Sequence, residues 1–172
     1  AYDRVRGGWV TRLGWMLAAA YPRAHFHVLN AANNGGTSGN LTRALRRLYR
    51  ARPDLVIIAY GFNDCDEHVS RRALEAHLRS GLGLLRAWRH PPVVVLMGMP
   101  PITALSAGRL RLERASTDDI RRVAAAEHTG YINEFDLWLA MGDVLMHRLR
   151  HDTEHPNSLG YAFTAAGVAA FL

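Results

Sequence analysis

The feature that most constrains the fold is an alternation of short apolar runs with longer amphipathic segments. "DLVIIAYG" (54–61) and "VVVLMGM" (93–99) are continuously apolar and of strand length, which predicts strands buried on both faces. Two shorter candidates, "HFHVLNAA" (25–32) and "GYIN" (130–133), precede and follow them. Strands that recur at intervals of about 30 residues are typical of right-handed βαβ units. The sequence therefore predicts an α/β fold with a parallel sheet and helices on both faces.

The segments around these runs carry apolar residues at helical spacing. They are predicted to form helices at 9–22, 41–50, 69–89, 117–127, 134–149 and 159–172. Prolines end the first and the third of these helices, because proline cannot continue a helical hydrogen-bond pattern.

Length and composition limit the classes of protein that fit. A chain of 172 residues has room for one domain with a real core and too little for two, so a single domain over residues 1–172 is predicted. No apolar run reaches the roughly 20 residues that a membrane-spanning helix needs. Cys65 is the only cysteine, which excludes an internal disulfide and a cysteine-based zinc site. No signal peptide is visible, and the sequence leaves both a cytoplasmic and a secreted location open.

The positive charge comes from arginine alone. The formal net charge is +6, and all 21 basic residues are Arg. Without lysine there is no Walker A loop, so a P-loop NTPase is excluded. Four arginines of "RALRRLYRAR" share one helical face: Arg43, Arg46, Arg47 and Arg50. This face is either a nucleic-acid surface or a solvated surface opposite the apolar residues of the same helix; we prefer the second interpretation and expect no nucleic-acid partner.

Polar or glycine-rich loops come after the predicted strands, where parallel sheets bind their ligands. The loop "NNGGTSGN" (33–40) offers backbone N–H groups at the start of a helix, which suits an anion. It does not have the G-x-G-x-x-G spacing of a dinucleotide-binding loop. A plain turn with Asn40 as the helix N-cap is an equally good interpretation.

The loop "GFNDCD" (61–66) places Asn63 directly after a buried strand. Its side-chain amide can donate to a developing oxyanion, or it can cap the following turn. Asp64 and Asp66 could ligate a cation together with Asn63. The sequence offers no further oxygen ligands of the kind that Ca²⁺ requires, so a metal site is not expected here.

The stretch "RHDTEHPNSLGY" (150–161) sets Asp152 three residues before His155. A carboxylate at this spacing on a tight turn can accept one imidazole N–H and leave the other ring nitrogen as a base. His147, His151 and His155 are also spaced as a metal face of one helix would be. Because Pro156 pushes the residue before it out of helical geometry, we interpret His147 and His151 as surface residues.

Taken in order, the motifs "NGGTSGN", "GFND" and "DTEHPN" resemble the SGNH hydrolase superfamily, the GDSL-type esterases and lipases. The resemblance implies a three-layer α/β/α sandwich with a parallel sheet, without a metal or organic cofactor. It implies that Gly39 gives a backbone N–H and Asn63 a side-chain amide to the oxyanion hole, and that Asp152 orients His155 as general base. The implied reaction is hydrolysis of a small-molecule ester through a serine-linked intermediate.

The chain departs from the family at the nucleophile, because it contains no Gly-Asp-Ser. Its first residues, "AYDRVRGGWVTRLG", resemble the loop and first helix that come after that motif in the family. The first strand and the nucleophilic serine are therefore expected upstream of Ala1. None of the six serines is a candidate nucleophile. The 172 residues alone are expected to be inactive.

Two other functions remain as alternatives. One is a non-catalytic SGNH-like module that binds acylated or glycan ligands, and the other is a flavodoxin-like domain with "NNGGTSGN" as a phosphate loop. The ester itself is not specified by the motifs, and neither is the oligomeric state. Three arginines of the predicted loop 101–116 would favour an acidic group on the substrate: Arg109, Arg111 and Arg114.

Overall fold

The computed structural model describes residues 7–103 and 107–172. The chain divides into two compact units. The sheet unit comprises residues 31–99 and 106–135, and the terminal unit comprises residues 1–30, 100–105 and 136–172. The first six residues of "AYDRVRGGWVTRLG" and residues 104–106 of the predicted loop 101–116 lie outside the described residues.

The sheet unit holds a three-stranded parallel sheet in the order β1-β2-β3. Its strands are β1 (Leu55–Ala59), β2 (Val93–Gly98) and β3 (Gly130–Asn133). Leu55 pairs with Val93, and Val95 pairs with Gly130. The prediction of a parallel sheet and of these three strands is confirmed. The chain returns from each strand to the next through helices, as parallel pairing requires.

Eight α-helices lie within the described residues. They are α1 (Trp9–Ala20), α2 (Leu41–Leu48), α3 (Phe62–Asp66), α4 (Arg71–Arg86), α5 (Ala107–Ala126), α6 (Glu134–Leu139), α7 (Asp143–Arg148) and α8 (Ser158–Phe171). Single 3₁₀ turns at Ser38–Asn40 and Tyr49–Ala51 precede and follow α2.

The core of the sheet unit forms between the strands and α2, α4 and α5. Helix α4 presents leucines at helical spacing, each no more than 1% exposed: Leu74, Leu78, Leu82 and Leu85. Leu96 of β2 and Val123 of α5 are fully buried against the same cluster. Each such side chain contributes roughly 1.5–3 kcal/mol by leaving water, which gives the loops after the strands a rigid support.

The predicted first strand is not formed. Residues 25–32 have no regular secondary structure, and Phe26, Val28 and Leu29 are each at least 40% exposed. β-Propensity measures how well a side chain fits a pleated, half-buried surface, so it produces a strand only where a neighbouring strand supplies the ladder.

Two helix predictions are also corrected. Helix α5 begins at Ala107, so Arg109, Arg111 and Arg114 lie on a helix and not in a loop. The i,i+4 ion pair between Arg109 and Glu113, at 2.9 Å, supports its first turns. The predicted helix over 134–149 is divided into α6 and α7 at Gly142, whose φ of +75° is accessible to glycine at little cost.

The terminal unit packs around Trp138, which is fully buried and meets Phe163 edge-on with ring centroids 5.7 Å apart. None of the described helices combines the length and apolarity that crossing a membrane would require.

Candidate active site

The segment 149–157 forms a closed turn between α7 and α8. The His151 N–H donates to the His155 carbonyl at 2.8 Å, and the Asn157 N–H donates to the Leu149 carbonyl at 2.9 Å. Helix α7 ends at Arg148, so no helix continues through His155, as Pro156 predicts. His147 and His151 are exposed, which confirms their interpretation as surface residues.

Within this turn Asp152 and His155 are in direct contact. The His155 Nδ1 lies 2.9 Å from Asp152 Oδ2 and 3.1 Å from Oδ1. The Asp152 Oδ1 also accepts the backbone N–H groups of Glu154 at 2.7 Å and of His155 at 2.6 Å. The carboxylate therefore shapes the turn and binds the imidazole at the same time.

The electrostatics of this pair specify the tautomer. The backbone N–H of His155, then that of Glu154, and then the imidazole hold the pKa of Asp152 well below its ordinary value. An ionised carboxylate accepts hydrogen bonds only, so Nδ1 of His155 carries the proton. In the neutral imidazole the basic nitrogen is then Nε2.

Asn157 and Arg150 stabilise the turn through further hydrogen bonds. The Asn157 Oδ1 caps α8 by accepting from the N–H groups of Leu159 at 2.9 Å and Gly160 at 3.1 Å. Its amide nitrogen donates to the carbonyls of Arg148 and Arg150. The Arg150 guanidinium lies 4.7 Å from the Trp138 ring centroid and donates to the carbonyl of Glu154. The sequence "HPN" thus joins the turn to the first turn of α8.

Gly160 allows α8 to approach this turn. A Cβ on Gly160 would lie 2.2 Å from the Leu149 carbonyl oxygen and 2.9 Å from the Cβ of Pro156. Only glycine leaves room for that contact.

In the sheet unit, Asp64 fastens the loop 33–40 to the end of β1. Its carboxylate accepts the Ser38 N–H at 3.0 Å and the Ser38 hydroxyl at 2.5 Å. It also accepts the Gly61 N–H at 3.2 Å, where Gly61 has a φ of +115°. Ser38 and Asp64 are each 1% exposed, so this buried carboxylate is satisfied by hydrogen bonds from two separate loops.

His77 of α4 extends this network. Its Nδ1 lies 2.8 Å from Ser38 Oγ. Because the single hydroxyl proton of Ser38 is donated to Asp64, Ser38 Oγ accepts here, and His77 must carry a proton on Nδ1. The order of donation is therefore His77 to Ser38 to Asp64.

Asn63 and Gly39 lie beside this network. The Asn63 side-chain amide donates one hydrogen bond to the Gly36 carbonyl at 3.1 Å, and an amide has a second N–H to offer. Gly39 occupies the second position of the 3₁₀ turn Ser38–Asn40, where a helix has no acceptor for the backbone N–H. Asn40 does not cap α2 with its side chain; its Oδ1 accepts the Thr37 N–H at 3.1 Å.

The two aspartates considered as cation ligands have other partners. Asp64 holds Ser38, and Asp66 pairs with Arg109 at 2.5 Å. Across residues 7–103 and 107–172, no three His, Cys, Asp or Glu side chains are grouped as a metal ion would need.

The family is decided by comparison with known proteins. Residues 2–163 match the GDSL-like Lipase/Acylhydrolase family. The chain belongs to this family. Its members are esterases and acylhydrolases, so the chain is assigned to the hydrolases that act on esters. No curated protein matches the chain.

Solved structures of esterases share the fold. A catalytic mutant of Axe2, an acetylxylan esterase from Geobacillus stearothermophilus, is 22% identical, with a TM-score of 0.83 over 96% of this chain and 80% of that one. The acetyl xylan esterase AlAXEase is 17% identical, with a TM-score of 0.82 over 95% of this chain and 89% of that one. A G-D-S-L family protein from Desulfitobacterium hafniense DCB-2 is 15% identical, with a TM-score of 0.80 over 96% and 88%. The parallel sheet flanked by helices is the SGNH hydrolase fold, as predicted from the sequence.

The predicted site residues of this GDSL-family chain fall into two pairs. Asp152 and His155 are in contact within the terminal unit. Gly39 and Asn63 belong to the sheet unit, where Asn63 bonds to the loop that contains Gly39. Their catalytic roles remain predictions. Sequence reasoning missed the fastening role of Asp64 and the contribution of His77, because Ser38 and His77 are 39 positions apart.

Proposed function

We propose that this GDSL-family esterase works by Ser-His-Asp acyl transfer, with His155 as the base that first accepts and then returns the proton. Asp152 holds the imidazole in the tautomer with Nε2 as the basic nitrogen and stabilises the imidazolium that forms. The observation that carries the proposal is the contact of 2.9 Å between His155 Nδ1 and an Asp152 carboxylate that two backbone N–H groups keep ionised.

The proposal assigns the oxyanion hole to the Gly39 N–H and the Asn63 amide. The space around Gly39 supports this role. A Cβ at this position would meet His77 and Thr37 at 3.6 Å, which is ordinary contact, and the backbone is not left-handed. Since the protein itself leaves room for a Cβ there, we attribute the glycine to a ligand that approaches the backbone closely.

A relative supports the pairing of Asp152 with His155. Catalytic mutants of the Geobacillus acetylxylan esterase have been solved for a serine, an aspartate and a histidine, and the aspartate and histidine are three positions apart. Asp152 and His155 have the same spacing. Acetyl esters of polysaccharides are therefore the first substrates to try.

The proposal assigns the nucleophile to none of the serines in these 172 residues. No serine stands in Gly-Asp-Ser. Ser38 is buried and donates to Asp64, Ser70 caps α4, and Ser158 accepts from Arg12 at 2.7 Å. A nucleophile needs a hydroxyl whose proton its base can take, and Ser38 gives its proton to Asp64 while Ser70 and Ser158 hold their neighbours as acceptors.

The test compares two forms of the protein. One is the chain of 172 residues, and the other, which we call the serine-bearing chain, is the same chain joined to the segment that supplies Gly-Asp-Ser. We expect only the serine-bearing chain to hydrolyse p-nitrophenyl acetate and to be labelled by a fluorophosphonate. Substitution of His155 by Ala should abolish both properties.

Either of two results would contradict the proposal. Turnover by the 172 residues alone would mean that one of their own serines is the nucleophile, and the labelled peptide would identify it. If the encoded protein has no Gly-Asp-Ser and turns over no ester, it is instead a module that binds acylated ligands.

A further inference from the structure

The charge of the protein is divided unevenly along the chain. From Arg4 to Pro53 the sequence has nine arginines and no acidic residue, although the whole chain carries only +6. The remainder of the chain therefore has an excess of negative charge. Such a division indicates a localised positive surface and not a general basicity.

Four of these arginines share one helical face, which we call the α2 arginine face: Arg43, Arg46, Arg47 and Arg50. All four are exposed, and within the described ranges 7–103 and 107–172 none of them has an ion pair.

Several arginines of α4 and α5 have acidic partners. Arg71 pairs with Asp119, Arg79 and Arg86 with Glu127, and Arg122 with Glu75. Carboxylates of the sheet unit thus pair with arginines of α4 and α5, and the charge of the α2 arginine face is left for an external partner.

The spacing of these arginines along α2 destabilises the helix in the absence of a bound anion. Arg43 and Arg47, like Arg46 and Arg50, are four residues apart along one helical turn, where like charges repel. The short helix tolerates this because Leu41, Ala44 and Leu45 anchor its other side in the core. An anion bound across the face would remove the repulsion.

An aromatic residue lies on the same helical segment as these arginines. Tyr49 is 50% exposed and meets the buried Trp88 edge-on, with ring centroids 5.4 Å apart. This contact fixes the orientation of a half-exposed ring directly before Arg50 in the chain. Tyrosine offers an apolar ring with a hydroxyl, which suits the C–H face of a sugar as well as its hydroxyl groups.

The face begins next to the proposed oxyanion donors. Helix α2 starts at Leu41, two positions after Gly39. Burial, and then the charge of Asp64, raise the pKa of the Tyr60 phenol just after β1, and the charge of Arg43 opposes that rise. A ligand on the face therefore lies beside the loop that we assign to the ester carbonyl.

We propose that the α2 arginine face binds the uronate carboxylates of an acidic polysaccharide whose ester group is the substrate. Guanidinium groups match carboxylates with paired hydrogen bonds. A neutral polysaccharide would leave the four arginines of the face without a carboxylate partner. A nucleic acid would satisfy the charges but has no carboxylic ester to present to the adjacent loop. That the polysaccharide carries the ester substrate rests on the proposed function. That the face binds an acidic polysaccharide rests on the α2 arginine face alone.

The first experiment needs no catalysis. Polygalacturonate, which carries carboxylates and no ester, is titrated into the 172-residue chain by calorimetry. The face variant carries Arg46→Gln, Arg47→Gln and Arg50→Gln. The control variant carries Arg23→Gln, Arg72→Gln and Arg148→Gln, which removes the same charge from exposed arginines elsewhere. We expect the affinity of the face variant to fall by about tenfold or more, that of the control to change less than about twofold, and binding to weaken as salt is added.

The second experiment measures the ester reaction in the serine-bearing chain. For O-acetylated polygalacturonate the face variant should raise KM by about tenfold while kcat is kept. For p-nitrophenyl acetate and for neutral acetylated xylan, both constants should stay within about twofold of the unsubstituted chain.

The outcomes separate this inference from the proposed function. Equal polygalacturonate affinity in the face and control variants, or tighter binding of single-stranded DNA than of polygalacturonate, would overturn the inference. Loss of turnover on every ester, with face-dependent polygalacturonate binding intact, would overturn only the proposed function. Because the substitutions remove like-charge repulsion from α2, the face variant should fold at least as stably as the unsubstituted chain, which thermal denaturation checks.

Discussion

At the scale of single residues, Asp152 has two separable tasks: its charge orients the His155 imidazole, and its Oδ1 shapes the turn. Asparagine in its place keeps an oxygen for the N–H groups of Glu154 and His155 but loses the charge. In the serine-bearing chain we expect Asp152→Asn to lower kcat by about 10⁴, as in other triads, with unfolding free energy changed by less than about 1 kcal/mol.

Asp152→Ala separates the two tasks. It should lose activity to the same extent and also destabilise the turn by about 0.5–2 kcal/mol, as the loss of other capping side chains does. Steady-state kinetics and urea denaturation of both variants measure the two effects. A kcat for Asp152→Asn within tenfold of the unsubstituted chain would remove Asp152 from the mechanism.

Asn63 is the residue that tests the oxyanion hole. Asn63→Ala in the serine-bearing chain should lower kcat by about 10²–10³ with little change in KM, because the amide would act on charge that develops in the transition state. The bond to the Gly36 carbonyl is also lost, at about 0.5–1.5 kcal/mol of stability. A folded variant with normal kcat would leave Asn63 as a turn residue only.

Asp64 and Asp66 provide a matched pair two positions apart. Asp64 is 1% exposed and accepts from Ser38 and Gly61, whereas the Asp66 side chain is 39% exposed. We expect Asp64→Asn to destabilise the 172-residue chain by about 2–4 kcal/mol, since buried donors lose a charged acceptor. Asp66→Asn should cost less than about 1 kcal/mol. Equal costs in urea denaturation would mean that Asp64 does not fasten the loop.

At the scale of elements, two glycines of α4 show what positions α2 and the loop before it. A Cβ on Gly81 would lie 2.4 Å from Leu41 Cδ2, whereas a Cβ on Gly83 meets nothing within 4 Å. Gly81→Ala should therefore destabilise the protein by about 1–3 kcal/mol through overpacking. Gly83→Ala should stabilise it by about 0.4–1 kcal/mol, since alanine has the higher helix propensity. Thermal denaturation of both variants is the measurement, and a stabilising Gly81→Ala would refute the close packing of α2 on α4.

The sequence predicts the elements whose signal is local. The continuous apolar runs of β1 and β2 specify buried strands, and the leucines of α4 specify a helix, because their side-chain periods are intrinsic to the chain. The contact between Asp152 and His155 is also local, because one tight turn contains both residues.

The remaining features depend on residues far apart in sequence. Residues 25–32 have strand composition but no ladder, which only a neighbouring strand could supply. The break at Gly142 is hidden in a helical pattern that continues on both sides of it. The bond from His77 to Ser38 exists because α4 packs on α2, which no spacing in the sequence encodes.

At the scale of the whole molecule, two carboxylates make stability depend on pH in the acid range. Hydrogen bonds and ion pairs with Arg86 and Arg79 lower the pKa of Glu127, and backbone N–H groups lower that of Asp152. A carboxylate whose pKa is lower in the folded protein stabilises the fold at pH values above its pKa in the unfolded chain. That stabilisation is lost as the pH falls through its pKa in the folded protein. The unfolding free energy should therefore decrease from about pH 4.5 downwards.

Glu127→Gln isolates one of these contributions. It should make the unfolding free energy fall less steeply with decreasing pH in that range. The total difference should be less than about 1 kcal/mol, because the arginines that pair with Glu127 are solvent-exposed. Glu67→Gln removes an exposed carboxylate as the control and should leave the slope unchanged. Urea denaturation from pH 2 to pH 6 measures both variants. An unaltered slope for Glu127→Gln would assign the acid sensitivity to other groups.

The space around Gly160 determines how this region can change over evolutionary time. Leu159 is 66% exposed and can be replaced at little cost, whereas any side chain at the next position would strike the Leu149 carbonyl. At the start of α8, substitutions are thus tolerated at Leu159 and not at Gly160. A lineage that lost this glycine would have to tilt its last helix away from the turn that holds the His155 imidazole, so that ring would be displaced although neither Asp152 nor His155 had changed.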